Sequence, residues 1–207
     1  MVDRLPTTAP ESPGGAKSAG VTAARDDAIS FAMGHEGGFV DHPADPGGAT
    51  NYGVSLRHAK NAGAIRGVNG AVVLDFDLDN DGDIDVDDIR AMTSDQARLV
   101  YIDIWNRFHF NAIEDRKIAA KFFDLSLPMG YGGASRVAQR ALRSCRFVDV
   151  VEDGFVGPKS RIALNNAIDW NAAATMTALC SEAAGYFRDL DAPDFEAGWL
   201  NRAYEWP

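Results

Sequence analysis

Residues Asp75–Asp88 read DFDLDNDGDIDVDD, and eight of the fourteen are aspartate. Carboxylates this close repel one another unless something offsets their charge. The alternating spacing offers a ring of oxygen donors, which suits a hard divalent cation such as calcium. A solvated acidic loop is the bland alternative. The stretch supplies eight of the ten net negative charges of the 207-residue chain, so the acidity is local. Nothing elsewhere suggests the broad basic surface of a nucleic-acid-binding protein.

In register, Asp77-x-Asp79-x-Asp81-Gly82-Asp83-Ile84-Asp85-x-x-Asp88 resembles the twelve-residue calcium loop of an EF-hand or dockerin. That resemblance implies carboxylates from Asp77, Asp79 and Asp81 at positions 1, 3 and 5, and a sharp turn at Gly82. It also implies the backbone carbonyl of Asp83 at position 7, Asp85 at position 9 directly or through water, and Asp88 at position 12. Glutamate is usual at position 12, and the shorter aspartate reaches bidentate geometry less easily. The preceding VNGAVVL does not read as an incoming helix, whereas VDDIRAMTSD can start an exiting one. The loop is therefore half a hand, with one structural calcium ion expected.

A second segment, His35–Ser55, reads HEGGFVDHPADPGGATNYGVS. It closely resembles the signature of glycoside hydrolase family 108, the N-acetylmuramidases of phage endolysins and related bacterial proteins. YIDIWNRF, FFDLSLPMGYGGASRVAQRAL, DGFVGPKSRIAL and FEAGWLNRAYEW are similar to later blocks of that family, including its predicted peptidoglycan-binding part. The likeness covers about Ala23–Trp206. It implies a lysozyme-like helical fold and cleavage of the β-1,4 bond between N-acetylmuramic acid and N-acetylglucosamine. Where the family commonly has Asn, this chain has Pro128.

Glycosidic cleavage needs an acid to protonate the leaving oxygen. Glu36 shares an apolar face with Ile29, Ala32 and Met33 and lies at a helix C-terminus. Desolvation and the negative end of the dipole both favour its protonated form. Asp45 and Thr50 follow on an irregular loop, in an order similar to the Glu, Asp, Thr arrangement of phage-type lysozymes but with a last gap one residue shorter. Asp41 ranks behind Asp45 as the second carboxylate. Tyr52, Asn51 and His42 are the expected substrate contacts, and His35 and His42 are read as orienting the loop.

The elements that must position these groups are mainly helical. Residues 1–22 read as a mobile tail. Residues 23–107 read as the catalytic region, with the calcium loop inserted at 75–88. Residues 108–207 read as a helical C-terminal part packed into the same globule. Helices are predicted from Ala23 to Gly37, over Leu56–Ala62, from a Thr93/Gln96 capping box, over Asp115–Leu127 with a stop at Pro128, and from Ala134 to about Cys145. A short helix follows Gly157-Pro158, and Asp169 caps a long one running to about Leu190. At most one short hairpin is expected. Cys145 and Cys180 read as buried thiols. No run reaches the ~18 apolar residues of a membrane span.

The composite reading is a monomeric, calcium-stabilised muramidase acting on peptidoglycan strands, without nucleic-acid partners or membrane insertion. The opening residues have no apolar signal region, so an endolysin waiting in the host cytoplasm for a holin-type lesion is the expected setting. A lytic transglycosylase using Glu36 alone, and a non-catalytic calcium-dependent binding module, are the rival readings.

Overall fold

A computed structural model of the protein describes residues 13–41 and 47–207. Helix α1 (Pro13–Met33) leads to two tiny strands, β1 (Thr50–Asn51) and β2 (Val54–Ser55), and then α2 (Leu56–Ala62). A second hairpin, β3 (Ala64–Arg66) and β4 (Val72–Asp75), runs into the acidic loop, followed by α3 (Val86–Ala91) and α4 (Ser94–Arg107). The C-terminal half is α5 (Arg116–Ser144), α6 (Pro158–Asp189) and α7 (Pro193–Tyr204). The protein is mainly helical, as expected.

Helix α4 divides the interior. Its Tyr101 and Trp105 pack into a large core with α1, α5, α6 and α7, while its Ala97 and Val100 close a smaller one. Val54, Ala59, Ile65, Phe76 and Ile89, from the two hairpins, α2 and the acidic-loop region, fill that smaller core. One helix thus presents two apolar stripes, one to each core. The Thr93/Gln96 capping box starts α4 as predicted, and Ser55 caps α2 over its expected range.

Several boundaries differ from expectation, each for a local reason. Helix α1 begins at Pro13, ten residues before Ala23, because proline suits a first turn and the following residues are rich in alanine. It ends at Met33, where the turn tightens. The amides of His35 and Glu36 bond to Ala32 and Met33, three residues back, at 3.1 and 3.2 Å. Hairpin β3–β4 was not expected, although Asn69-Gly70 between apolar residues is a turn signal. Pro128 does not end α5. The helix runs on to Ser144, broken instead at Gly130, whose φ of 68° no other residue adopts as readily. Helix α6 is likewise continuous but for Asn171, and it is the Asn171 side chain, not Asp169, that accepts the amide of Ala174 at 2.9 Å. Cys145 and Cys180 are free and buried.

Candidate active site

Glu36 sits on the tightened turn after α1 with 16% of its side chain exposed. Arg202, on the last helix, donates from Nη2 to Glu36 Oε1 at 2.9 Å. The same guanidinium donates from Nε to Asp124 Oδ1 at 2.9 Å and from Nη2 to the Asp124 backbone carbonyl at 3.2 Å. That carbonyl is available because Pro128, four residues on, has no N–H to bond to it. Pro128, the departure from the family pattern, thus frees an acceptor that Arg202 takes.

Asp124 is fully buried and lies at the hub. His35 Nδ1 is 3.1 Å from its Oδ1, and Lys121 Nζ is 3.7 Å from its Oδ2. Burial alone would raise the Asp124 carboxyl, but the His35 hydrogen bond and the charges of Arg202 and Lys121 prevail and hold it below the usual range. His35 Nε2 faces Glu205 Oε2 at 3.0 Å, so both ring nitrogens point at carboxylates and both must donate. The Asp124 hydrogen bond raises His35 against burial, with Glu205 helping. Buried Lys121 also donates to the carbonyls of Arg202 and Glu205, tying the end of α7 to α5. Burial lowers the Lys121 ammonium despite the nearby charge of Asp124.

The hairpin β1–β2 forms the facing wall. The Tyr52 amide bonds to the Gly37 carbonyl at 3.1 Å, and the Tyr101 hydroxyl donates to the Tyr52 carbonyl at 2.5 Å. Burial pushes the Tyr101 phenol well up, so it stays a donor. Gly53, at φ 74°, completes the turn. A Cβ there would lie 2.6 Å from Glu36 Oε2, so a glycine is required both for the backbone and for the space beside the carboxylate. Gly53 also lines a cleft of ≈ 540 Å³ that continues past His58, Tyr101, Arg107, Pro128 and Tyr131. Phe108 and Tyr131 stack at 3.8 Å along this cleft and present an aromatic surface. Burial, and then the charge of Arg107, lower the His58 imidazole.

Residues 29–130 match the model of the family described as glycosyl hydrolase 108. The chain carries a glycosyl hydrolase 108 domain. It is a glycoside hydrolase. Among solved structures, that of Brucella abortus SagA is similar, with 22% identity over 88% of this chain and 90% of that one, at a TM-score of 0.62. At that identity the likeness shows a shared fold. No protein with a curated description matches the sequence.

Within the hydrolase, the sequence-predicted residues divide. Glu36 meets the Tyr52–Gly53 turn, and Gly53 lines the cleft. Asp45 and His42 lie outside the described residues. Asp41 is exposed beside them. Thr50 pairs with Val40 in the sheet and turns its hydroxyl to the Gly48 carbonyl at 3.3 Å. Asn51 is corrected. At 4% exposure, its amide donates to the carbonyls of Ile89 at 2.9 Å and Met92 at 3.2 Å. It ties the hairpin to the end of α3. Asp124 and Arg202 were missed. The signal was there in IAAKFFDLSL, where Lys121 and Asp124 interrupt an apolar helix three residues apart.

The acidic loop folds on its own amides. Asp77 accepts from the backbones of Asp81 and Gly82, each at 3.1 Å, and Gly82 turns at φ 101°. Asp77, Asp79 and Asp81 form one group of carboxylates, and Asp83, Asp85 and Asp88 a second, with ligand oxygens within 4.8 Å in each. The six expected ligands thus gather as two triads. Asp88, 1% exposed, accepts from the amides of Leu78 at 2.6 Å and Asp85 at 2.7 Å, and Asp85 caps α3. Strand β4 enters the loop and α3 leaves it.

Proposed function

We propose that the protein is an N-acetylmuramidase that hydrolyses the β-1,4 bond between N-acetylmuramic acid and N-acetylglucosamine, with Glu36 as general acid. The observation that carries this reading is the Glu36 carboxyl packed beside Gly53, which lines an aromatic-walled cleft, with both residues inside the span matched by the glycosyl hydrolase model. Glu36 protonates the glycosidic oxygen as the bond to C1 breaks. A second carboxylate then steadies the developing positive charge or activates water. Asp45 is assigned that role, with Asp41 next, since both stand on the segment that follows Glu36. Tyr52 is assigned to the cleft rim. Peptidoglycan strands are the partner, on the strength of the family resemblance, and a phage endolysin acting on the host wall is the setting.

Calcium is assigned to the acidic loop. The fit rests on the donor set: hard carboxylate oxygens, a glycine at the sharp turn, and Asp77 folded back on the fifth and sixth residues of the loop. Asp77, Asp79, Asp81, Asp85 and Asp88 would hold the ion with the Asp83 carbonyl. Its contribution is to neutralise the loop that starts α3.

Lysis of purified cell walls tests the enzyme reading, and product mass tests the reaction. Hydrolysis adds water, while an anhydro product would establish a transglycosylase. Glu36→Gln keeps the volume and removes the proton, so lysis should fall ~10²-fold or more with an unchanged circular dichroism spectrum. Substantial activity in that variant would remove Glu36 from the acid role.

A further inference from the structure

We propose that Arg202 is the positioning residue for Glu36, fixing which of its oxygens delivers the proton; this rests on the acid role proposed for Glu36. Oε1 accepts from Arg202 Nη2 at 2.9 Å. Oε2 lies against Gly53, a residue that lines the cleft, and a Cβ there would come within 2.6 Å of that oxygen. In the acid form of Glu36, the Oε1 that accepts from Arg202 is the carbonyl oxygen, and Oε2 carries the proton to be delivered.

The step then balances as follows. The proton passes from Oε2 to the glycosidic oxygen. The C1–O bond breaks with its electron pair going to that oxygen, and Glu36 is left as a carboxylate. Water adds at C1 and its released proton restores the acid. Negative charge on Glu36 appears as the reaction proceeds, and it appears against a guanidinium already in contact. A hydrogen bond that strengthens as charge develops lowers the barrier more than the ground state. Arg202 is held for this purpose from three sides. Its Nε is bonded to Asp124 Oδ1, its Nη2 to the Asp124 carbonyl that Pro128 leaves free, and its own carbonyl to Lys121. Arg202 lies outside the 29–130 span of the family match, so α7 completes a site whose acid belongs to the matched domain.

The test uses the full chain and compares kcat with KM for wall lysis in three variants. Arg202→Gln should lower kcat ~10²-fold while KM stays within ~threefold, the pattern of an interaction made in the transition state. Arg202→Lys, which keeps the charge and loses the fork, should recover part of that loss. The double variant Arg202→Gln with Asp124→Asn removes both partners of that ion pair, and a parent-like circular dichroism spectrum guards against a folding defect; it should stay as slow as Arg202→Gln. Parent-like kcat in Arg202→Gln overturns the proposal. Recovery of kcat in the double variant also overturns it, because Arg202 would then serve merely to neutralise Asp124. Glu36→Gln is run alongside. If it is active, the acid assignment itself fails; if it is inactive while Arg202→Gln is fast, the positioning role alone fails.

Discussion

Two regions of this protein concentrate carboxylates, and they solve the problem in opposite ways. Around Asp124 the carboxylate is buried and matched by three cations: Arg202 from α7 and His35 from beyond the end of α1, both distant in the chain, and Lys121 one turn away on α5. In the Asp77–Asp88 loop the carboxylates are matched by backbone amides within ten residues, and most remain open to solvent. Charge taken out of water must be paired, whereas charge left in water tolerates a local and partial solution. The first region is therefore built by the fold, and the second by its own sequence. Asn51 joins them, since its amide bonds the end of α3 to the hairpin that walls the cleft.

Breaking the buried hub should have the larger effect. Asp124→Ala strands Arg202 and Lys121 without their anion, and loss of one member of a buried ionic set costs about 3–5 kcal/mol. Urea unfolding should show this loss, and a change under about 1 kcal/mol would mean the hub is not load-sharing as described.

The loop should respond to its ion and not to a partner elsewhere in the chain. A single loop with aspartate at position 12 should bind calcium with Kd on the order of 10⁻⁵–10⁻³ M. At a hundredfold excess over Kd, calcium should stabilise by ~2.7 kcal/mol, so chelation should lower the melting temperature. Asp77→Asn with Asp81→Asn should lower it without chelator. Melting curves that ignore both calcium and EDTA would remove the ion from the loop.

The smallest effect separates the regions by pH. His35 titrates above its ordinary value, so its contribution is fully present below about pH 6.5 and is lost as pH rises through its folded-state value. Stability measured from pH 6 upward should decline in the parent, and His35→Gln should flatten this slope. An equal slope in both proteins would place the titration elsewhere.

The sequence by itself determined what depends on near neighbours. The turn at Gly82, the caps at Ser55, Thr93 and Asp85, and the register of the acidic loop all follow from contacts within a few residues. Glu36 at the end of α1 was legible for the same reason, through its helical face and the block around it. What lay beyond reach is what joins distant segments. Pro128 reads as a helix stop, yet α5 continues and the freed carbonyl goes to Arg202, seventy-eight residues away in the chain. Asn51 reads as a polar loop residue, yet packing turns it inward to α3. The partner of Glu36 comes from α7, 166 residues on. A local pattern cannot name that partner, because the pairing is decided by how the helices pack and by which charges the packing removes from water.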